Sequence, residues 1–267
     1  QAYFQEGRRT HEDFADVAEL NSLGDGPVGA LLQTIQSPPD ATTAQLEVHS
    51  RRLGWLAAFA TYTEPLLRGR GSVSLLEKEI ILDRSPLWIA CTPDRVDNTP
   101  DGLIYRDFKT VKLLTKGWFD HWSRAVQIHI GLKAVEEELG KKVAFGEIQG
   151  LNKGQPRDGR LVHPYVWAYY HAGTGRWSHE YKAGWAHRPV WEFEGGVLEW
   201  VRKCGPEVAR SQFPISAPIF IDSRLLEGLV NRRLQREREV LEVREKAQSN
   251  WAFRTQHFEQ RFNHCRP

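Results

Sequence analysis

Cysteine and methionine are scarce in this chain of 267 residues, and the shortage excludes some classes of protein. Its three cysteines, Cys91, Cys204 and Cys265, form neither a CxxC pair nor a zinc-finger spacing. We therefore expect neither a disulfide framework nor an autonomous zinc site, and the cell interior is the default compartment. Methionine is absent altogether, which is unusual for a chain of this size.

Long apolar runs and a strong charge imbalance are also missing. No run of about eighteen apolar residues occurs, so the sequence predicts no membrane span. Residues 1–9 are polar and lack the apolar centre of a signal peptide, so we expect a cytoplasmic protein. Hydrophobic residues make up 40% and the formal net charge is +2. Such a composition is typical of globular proteins, and it allows a DNA partner only if basic residues cluster.

Hydrophobic periodicity predicts a mixed α/β chain. Helical spacing covers 3–21 and 43–67, and three strand patterns follow at Leu75–Leu82, Leu87–Val96 and Gly102–Thr110. The remaining predicted elements are a helix over 117–139 that ends at Gly140, a strand over Val143–Leu151, a hairpin of 163–172 and 176–183, and helices over 192–204 and 223–247.

The last predicted helix carries charges of alternating sign from Arg232 to Lys246. Opposite charges four residues apart stabilise the surface of a helix. We interpret this run as a solvated helix face, with contact to nucleic acid or to a partner protein as the alternative.

Two acids and a lysine lie on neighbouring predicted strands. Asp94 is followed thirteen residues later by Asp107, and Lys109 comes two residues after that. Side chains two apart share one face of a strand, and paired strands lie ~5 Å apart, so the two carboxylates can reach one cation. Mg²⁺ and Mn²⁺ prefer oxygen ligands, and the Phe108 carbonyl can supply another. The lysine could then orient a water molecule and offset charge in a transition state.

Asp107 and Lys109 considered alone would equally fit an exposed salt bridge on a hairpin, which is common and contributes little stability. The order of the acids, their strand context and their spacing together favour the cation site. The stretches Thr92–Asp97 and Leu103–Thr110 resemble the core of the PD-(D/E)XK nucleases. The most similar branch is the RecB-like exonucleases, which include CRISPR-associated and phage-encoded members.

In that branch a G-x-x-D strand is followed by D-x-K-T, and here Cys91 stands where glycine is usual, at a position that is not a ligand. The resemblance implies a restriction-endonuclease-like core of the α/β class. Its mixed central sheet is built in the order helix, strand, strand, strand, helix, strand and is flanked by helices.

Three further positions match the family pattern. His11, four residues after a glycine, resembles the early G-x-x-x-H helix whose histidine binds metal. Glu77 matches the acid on the first core strand, with Glu79 as an alternate on the same face. Gln127 matches the glutamine of the helix after D-x-K, but that motif continues to a tyrosine four residues on, where this chain has Gly131.

The resemblance spans about 7–153 and implies one nuclease domain over 1–267. Its core would be at about 72–155, with an N-terminal helical segment over 1–71 and a C-terminal hairpin and helices over 160–267. The implied activity is that of a metal-dependent deoxyribonuclease, an exonuclease or an end-processing enzyme in recombination, repair or phage replication. The implied catalytic residues are Lys109, Asp107, Asp94, Glu77 and Gln127, and the implied ligands of one or two Mg²⁺ or Mn²⁺ ions are His11, Asp94, Asp107 and the Phe108 carbonyl.

Other cofactors and partners also follow from the resemblance. Some relatives carry an iron–sulfur cluster on four cysteines, and with three cysteines we expect no cluster here. DNA, single-stranded or at ends, is the expected partner. Because no Walker A sequence is present, any helicase or recombination activity would come from a separate chain. The oligomeric state is open.

Several side chains near the motif are candidates for contact with DNA. Trp118 and Trp122 could stack on unpaired bases, although tryptophans more often fill cores. The candidates for phosphate contact are Lys112, Lys116, Arg124 and Lys153.

Two rival functions are a catalytically silent DNA-binding or scaffold protein of the same fold and a nuclease that acts on RNA.

Overall fold

The protein is a mixed α/β chain with a mixed central sheet flanked by helices. The described residues divide into two compact units, one within 1–81 and 90–220 and the other within 82–89 and 221–267. In the described part, no helix is both long and apolar enough to cross a membrane. The computed structural model describes residues 14–19, 40–84, 87–111, 114–115, 117–153 and 163–249.

Helices surround the sheet and also form the end of the described chain. Residues 14–19 are helical, so the predicted helix over 3–21 is described only in part. A π-helical segment, Phe59–Thr63, joins the first two helices, and a 3₁₀ turn covers Val190–Glu192. The helices are α1 (Thr43–Ala58), α2 (Glu64–Arg68), α3 (Trp118–Ser123), α4 (Val126–Leu139), α5 (Gly196–Gln212) and α6 (Ser223–Ser249).

Nine strands form three sheets in the described residues. The main sheet has the order β1-β4-β5-β6, with β5 and β6 parallel and the other pairs antiparallel. A hairpin of β2 and β3 and a sheet of order β8-β7-β9 complete the set. The strands are β1 (Ser72–Leu76), β2 (Ile80–Arg84), β3 (Leu87–Cys91), β4 (Arg95–Thr99), β5 (Gly102–Val111), β6 (Val143–Asn152), β7 (Trp167–His171), β8 (Arg176–Ser178) and β9 (Ala186–Pro189).

Two of the predicted core strands are each divided in the structure, and that part of the prediction was wrong. The pattern over Leu75–Leu82 covers the end of β1 and the start of β2, and the pattern over Leu87–Val96 covers β3 and the start of β4. Glu77, the residue directly after β1, has a positive φ of 44°. Pro93 separates β3 from β4, because proline has no amide hydrogen to donate to a strand ladder. The β2–β3 hairpin therefore lies between β1 and β4 in chain order, although β1 and β4 are neighbours in the main sheet.

The helix predicted over 117–139 is two helices. Ala125 is extended, with ψ of 124°, and it separates α3 from α4. The predicted end is confirmed, because Gly140 adopts the left-handed conformation that closes helices, with φ of 58°. Because of this break, the direction of α3, which carries Trp118 and Trp122, is not set by the axis of α4.

The C-terminal part also differs from the prediction in detail. Helix α5 consists of two helical segments that meet at a kink, because Gly205, with φ of 78°, is non-helical and Pro206 follows it. The first segment ends at Cys204, as predicted, and the second continues to Gln212. The hairpin predicted over 163–172 and 176–183 is present as β7 and β8, and β9 adds a third strand to it.

Helix α1 begins at a capping box. The Thr42 side chain accepts the Gln45 amide hydrogen at 3.4 Å, and the Gln45 side chain accepts the Thr42 amide hydrogen at 2.8 Å. Such reciprocal bonds satisfy amide groups that a helix start leaves unpaired. On its buried face, a Cβ at Gly54 would lie 2.3 Å from the Cβ of Tyr165. Glycine therefore allows α1 to approach the segment before β7 closely.

Four phenylalanines from distant parts of the chain meet in the core. Phe14 and Phe59 stack with ring centroids 4.4 Å apart. Phe108 of β5 meets both rings edge-on, at 5.9 Å and 6.0 Å, and Phe213 meets them at 5.7 Å each. Edge-to-face contacts of this kind add specific geometry to burial. The middle of β5 is therefore fixed to the core through Phe108.

Candidate active site

The antiparallel pair β4–β5 brings the two predicted acids opposite each other. Arg95 is paired with Arg106. Extending this register by one residue puts Asp94 across from Asp107. Opposed Cα atoms of an antiparallel pair lie ~4.5–5.5 Å apart, so both carboxylates can reach one point.

Both acids are buried and hold specific contacts. Asp94 is 8% exposed and Asp107 is 4% exposed. The Asp94 carboxylate accepts the amide hydrogen of Phe108. Asp107 forms an ion pair with Lys109, whose Nζ lies 5.1 Å from the ring centroid of Trp122. The site thus joins two carboxylates, a backbone donor and an ammonium group on an aromatic face.

Strand β5 separates the site from the core by the alternation of its side chains. Tyr105, Asp107 and Lys109 point to one face, and Arg106 and Phe108 point to the other. Phe108 is 2% exposed and packs in the aromatic core. This packing limits the directions in which the neighbouring Asp107 and Lys109 side chains can point. The role of its carbonyl as a metal ligand stays a prediction.

Tyr105 is a member of this site that the motif analysis missed. Burial raises the pKa of its hydroxyl well above the usual value, and the carboxylates of Asp107 and Asp94, the Cys91 thiol and a hydrogen bond to Asp107 raise it further. A Cβ at Gly131 would lie 2.7 Å from the Tyr105 Oη. A phenol from β5 therefore occupies space beside the helix position where the family pattern has a tyrosine. The signal in the sequence was a tyrosine two residues before the second acid.

Glu77 and its alternate Glu79 lie differently from the prediction, whereas Gln127 lies on a helix after β5, as predicted. Glu77 and Glu79 do not stand on the first core strand, because β1 ends at Leu76, and both are exposed. Glu77 stays beside the site through its backbone, since its amide donates to the Asp94 carbonyl at 3.3 Å. Gln127 is exposed in the first turn of α4. Their functional roles stay predictions.

The predicted metal ligands are described only in part. His11 lies outside the described residues, so its prediction stays untested. Within the described ranges, no group of three or more His, Cys, Asp or Glu side chains could hold a metal ion. Magnesium often keeps several waters and uses only one or two carboxylates, so the pair of Asp94 and Asp107 fits this mode of binding.

The candidates for DNA contact are distributed unevenly. Trp118 and Trp122 are half-buried, with ring centroids 6.2 Å apart, and Arg124 is exposed. Lys153 is buried, and its Nζ lies 5.7 Å from the ring centroid of Trp55, which does not suit a surface contact with phosphate. Two further candidates, Lys112 and Lys116, lie outside the described residues.

On the opposite face of the sheet, charged side chains form a continuous chain of ion pairs. Asp97 accepts hydrogen bonds from the Nε atoms of Arg95 and Arg106, each at 2.7 Å. Arg95 continues to Glu64 of α2, and Arg106 continues to Glu147 of β6. These five side chains are almost fully buried. Each acid is enclosed between arginines.

The chain of charges ends near solvent on both sides. Arg68 pairs with Glu64 at 3.1 Å, and Arg70 holds both oxygens of Glu147, at 3.0 Å and 2.8 Å. We call this set the charge chain. Its members are Arg68, Glu64, Arg95, Asp97, Arg106, Glu147 and Arg70.

A cavity of about 310 Å³ lies between the π-helical segment, α2 and the second half of α5. Tyr62, Leu66 and Phe213 are among its lining residues. The candidate site residues do not line it, so the cavity is separate from the carboxylate pair.

Comparisons with known proteins assign no family. No protein-family model matches the chain, and no curated protein matches it. The nuclease prediction from the motif around Asp94, Asp107 and Lys109 is therefore not tested by these comparisons.

Proposed function

We propose that the chain is a metal-dependent deoxyribonuclease, an exonuclease or an end-processing enzyme of recombination, repair or phage replication. The observation that carries the proposal is the placement of Asp94 across from Asp107, with Lys109 paired to Asp107 on the same face of β5.

Each of these residues has a defined task in phosphodiester hydrolysis. Asp94 and Asp107 would hold Mg²⁺ or Mn²⁺, with the Phe108 carbonyl as a further oxygen. When bound, the cation polarises a phosphate oxygen and makes a bound water more acidic. Lys109 orients that water and offsets the negative charge that develops on the phosphate in the transition state. Burial of the two acids strengthens these electrostatic interactions.

The charge balance of the pair supports cation binding. Like charges directly opposite each other destabilise an antiparallel pair of strands. Lys109 pairs with Asp107, and a cation bound between the two acids would offset their mutual repulsion. A surface salt bridge would not require Asp94, and it would not require burial.

A digestion time course tests the proposal. End-labelled single-stranded DNA, double-stranded DNA and RNA are incubated with Mg²⁺, with Mn²⁺ or with excess EDTA. We expect metal-dependent cleavage of DNA that EDTA abolishes. Cleavage that persists in EDTA would overturn the metal mechanism, preferred cleavage of RNA would support the RNA nuclease, and DNA binding without cleavage would support the scaffold protein.

The variant Asp107→Asn should lose cleavage by orders of magnitude while it keeps its melting temperature within a few degrees, because it removes charge from the cation and little volume. Cleavage rate and thermal melting are measured together. The matched control is Asp101→Asn, in the exposed turn between β4 and β5, which should cleave as the wild type does.

A further inference from the structure

The two carboxylates of the site are each held from a different direction. Asp94 accepts the backbone amide of Phe108, whose position is fixed by the strand and by the core. Asp107 meets Lys109, whose side chain is 19% exposed, and it also accepts a hydrogen bond from Tyr105. Tyr105 is 3% exposed.

A buried phenol directs a carboxylate better than a lysine does. The lysine side chain has many rotamers and a partly exposed charge, whereas a tyrosine ring has two side-chain torsions and places its hydroxyl in one direction. Tyr105 also shares the face of β5 with Asp107, two residues away. Its hydroxyl is therefore the rigid partner of Asp107.

Gly131 of α4 provides the space that this rigid partner needs. A Cβ at that position would lie 2.7 Å from the Tyr105 Oη and 2.8 Å from each of two ring carbons, Cε2 and Cζ. Real Cβ atoms do not approach other atoms so closely, so any larger residue would displace the phenol. Helix α4 and strand β5 thus fix the hydroxyl from two sides.

We propose that Tyr105 is a positioning residue of the carboxylate pair, which holds Asp107 in the direction that lets it share one cation with Asp94. The inference rests on the proposed function, since it concerns the same cation site. Gly131 acts only through Tyr105, by keeping the space for its ring. Groups that hydrogen-bond a metal ligand typically change metal affinity about 10- to 100-fold.

Mn²⁺ titration followed by electron paramagnetic resonance tests the inference without any substrate. Tyr105→Phe keeps the ring and removes the hydroxyl, so we expect Mn²⁺ to bind about 10-fold to 100-fold more weakly. The matched control is Tyr165→Phe, which removes another buried hydroxyl, one that has no hydrogen-bond partner among the described residues. That control should bind Mn²⁺ as the wild type does.

Gly131→Ala should weaken Mn²⁺ binding to a similar extent, because it displaces the same hydroxyl. In the background of Tyr105→Phe, Gly131→Ala should cause no further loss of affinity, although it lowers the melting temperature. A further loss in the double variant would overturn the inference that both residues act through one hydroxyl.

Asp107→Asn separates the two proposals. If wild-type binding is lost in Asp107→Asn but Tyr105→Phe stays within two-fold of the wild type, the positioning role is wrong and the proposed function stands. If the wild type shows no Mn²⁺ binding that depends on Asp107, the proposed function is wrong and the positioning role is wrong with it.

Discussion

The two faces of strands β4 and β5 treat buried charge in opposite ways. On the charge-chain face, each of the three acids lies between two arginines, and arginines also form both ends. On the site face, Asp94 and Asp107 stand across from each other, and Lys109 forms an ion pair with Asp107.

We interpret the charge chain as structural and the carboxylate pair as the proposed functional site. A buried ion pair is favourable only when the partners satisfy each other closely. The charge chain places each acid between two arginines, although the Nη2 atoms of Arg95 and Arg106 have no hydrogen-bond partner among the described residues. The carboxylate pair instead places two acids across from each other, and in the proposed function a cation binds between them. Burial of acids alone therefore does not identify a functional site, and the proposal for the carboxylate pair rests on the opposed placement of Asp94 and Asp107.

The largest expected effect is on the charge-chain face. Asp97→Asn removes the central negative charge and leaves Arg95 and Arg106 buried without it. We expect the free energy of unfolding to fall by about 3–5 kcal/mol, as for other broken buried pairs. Urea denaturation measures it, with the exposed Asp101→Asn as control, which should stay within about 0.5 kcal/mol of the wild type. A loss below about 1 kcal/mol would mean that the charge chain is not structural.

On the site face the same kind of change should affect rate rather than folding. Lys109→Ala should bind metal and DNA almost normally yet cleave about 10²–10³-fold more slowly, because the lysine acts on the transition state. Single-turnover cleavage and DNA affinity are measured side by side. The control Lys142→Ala removes an exposed lysine near β6 and should leave both unchanged. If affinity falls in proportion to rate, Lys109 is a phosphate contact and the contrast between the faces is weaker.

His163 belongs to neither face and gives a third case of a buried ionisable group, because burial favours its neutral form. Burial and the nearby Arg51 charge lower the pKa of His163 from 6.5 to about 3. Between these values the unfolded chain binds more protons, so stability falls as the pH falls below about 6.5. We expect His163 to lower the free energy of unfolding by about 2 kcal/mol between pH 7 and pH 5.

Urea denaturation at both pH values measures this loss. His163→Gln should remove it, and the half-buried His179→Gln should keep it. An unchanged pH slope in His163→Gln would show that the imidazole is accessible to protons in the folded chain.

The backbone of the site could be predicted from the sequence to a large extent. The spacing of Asp107 and Lys109 fixes their common face by the two-residue period of a strand, and the turn at 99–102 fixes the register that faces Asp94 toward Asp107. The divided strands were missed because alternating hydrophobicity continues across the breaks. Pro93 was the available signal for one of them.

Contacts that depend on packing between distant elements could not be predicted. The family motif has a tyrosine where this chain has Gly131. Only the packing of α4 on β5 shows that the Tyr105 ring lies against this glycine. The charge chain was missed for the same reason. Arg95 and Arg106 stand inside the motif stretches, but their partners Glu64 and Glu147 are 31 and 41 residues away along the chain.

The Phe108 side chain points away from the carboxylate pair, yet its packing limits how far the site can move. Each residue of a strand has only two soft backbone torsions, so a ring locked among Phe14, Phe59 and Phe213 also limits the directions of its two neighbours. Protein interiors are packed as densely as organic crystals, and a ring there has little room to shift. The relative positions of the Asp107 carboxylate and the Lys109 ammonium group therefore depend on apolar packing on the opposite face of the sheet.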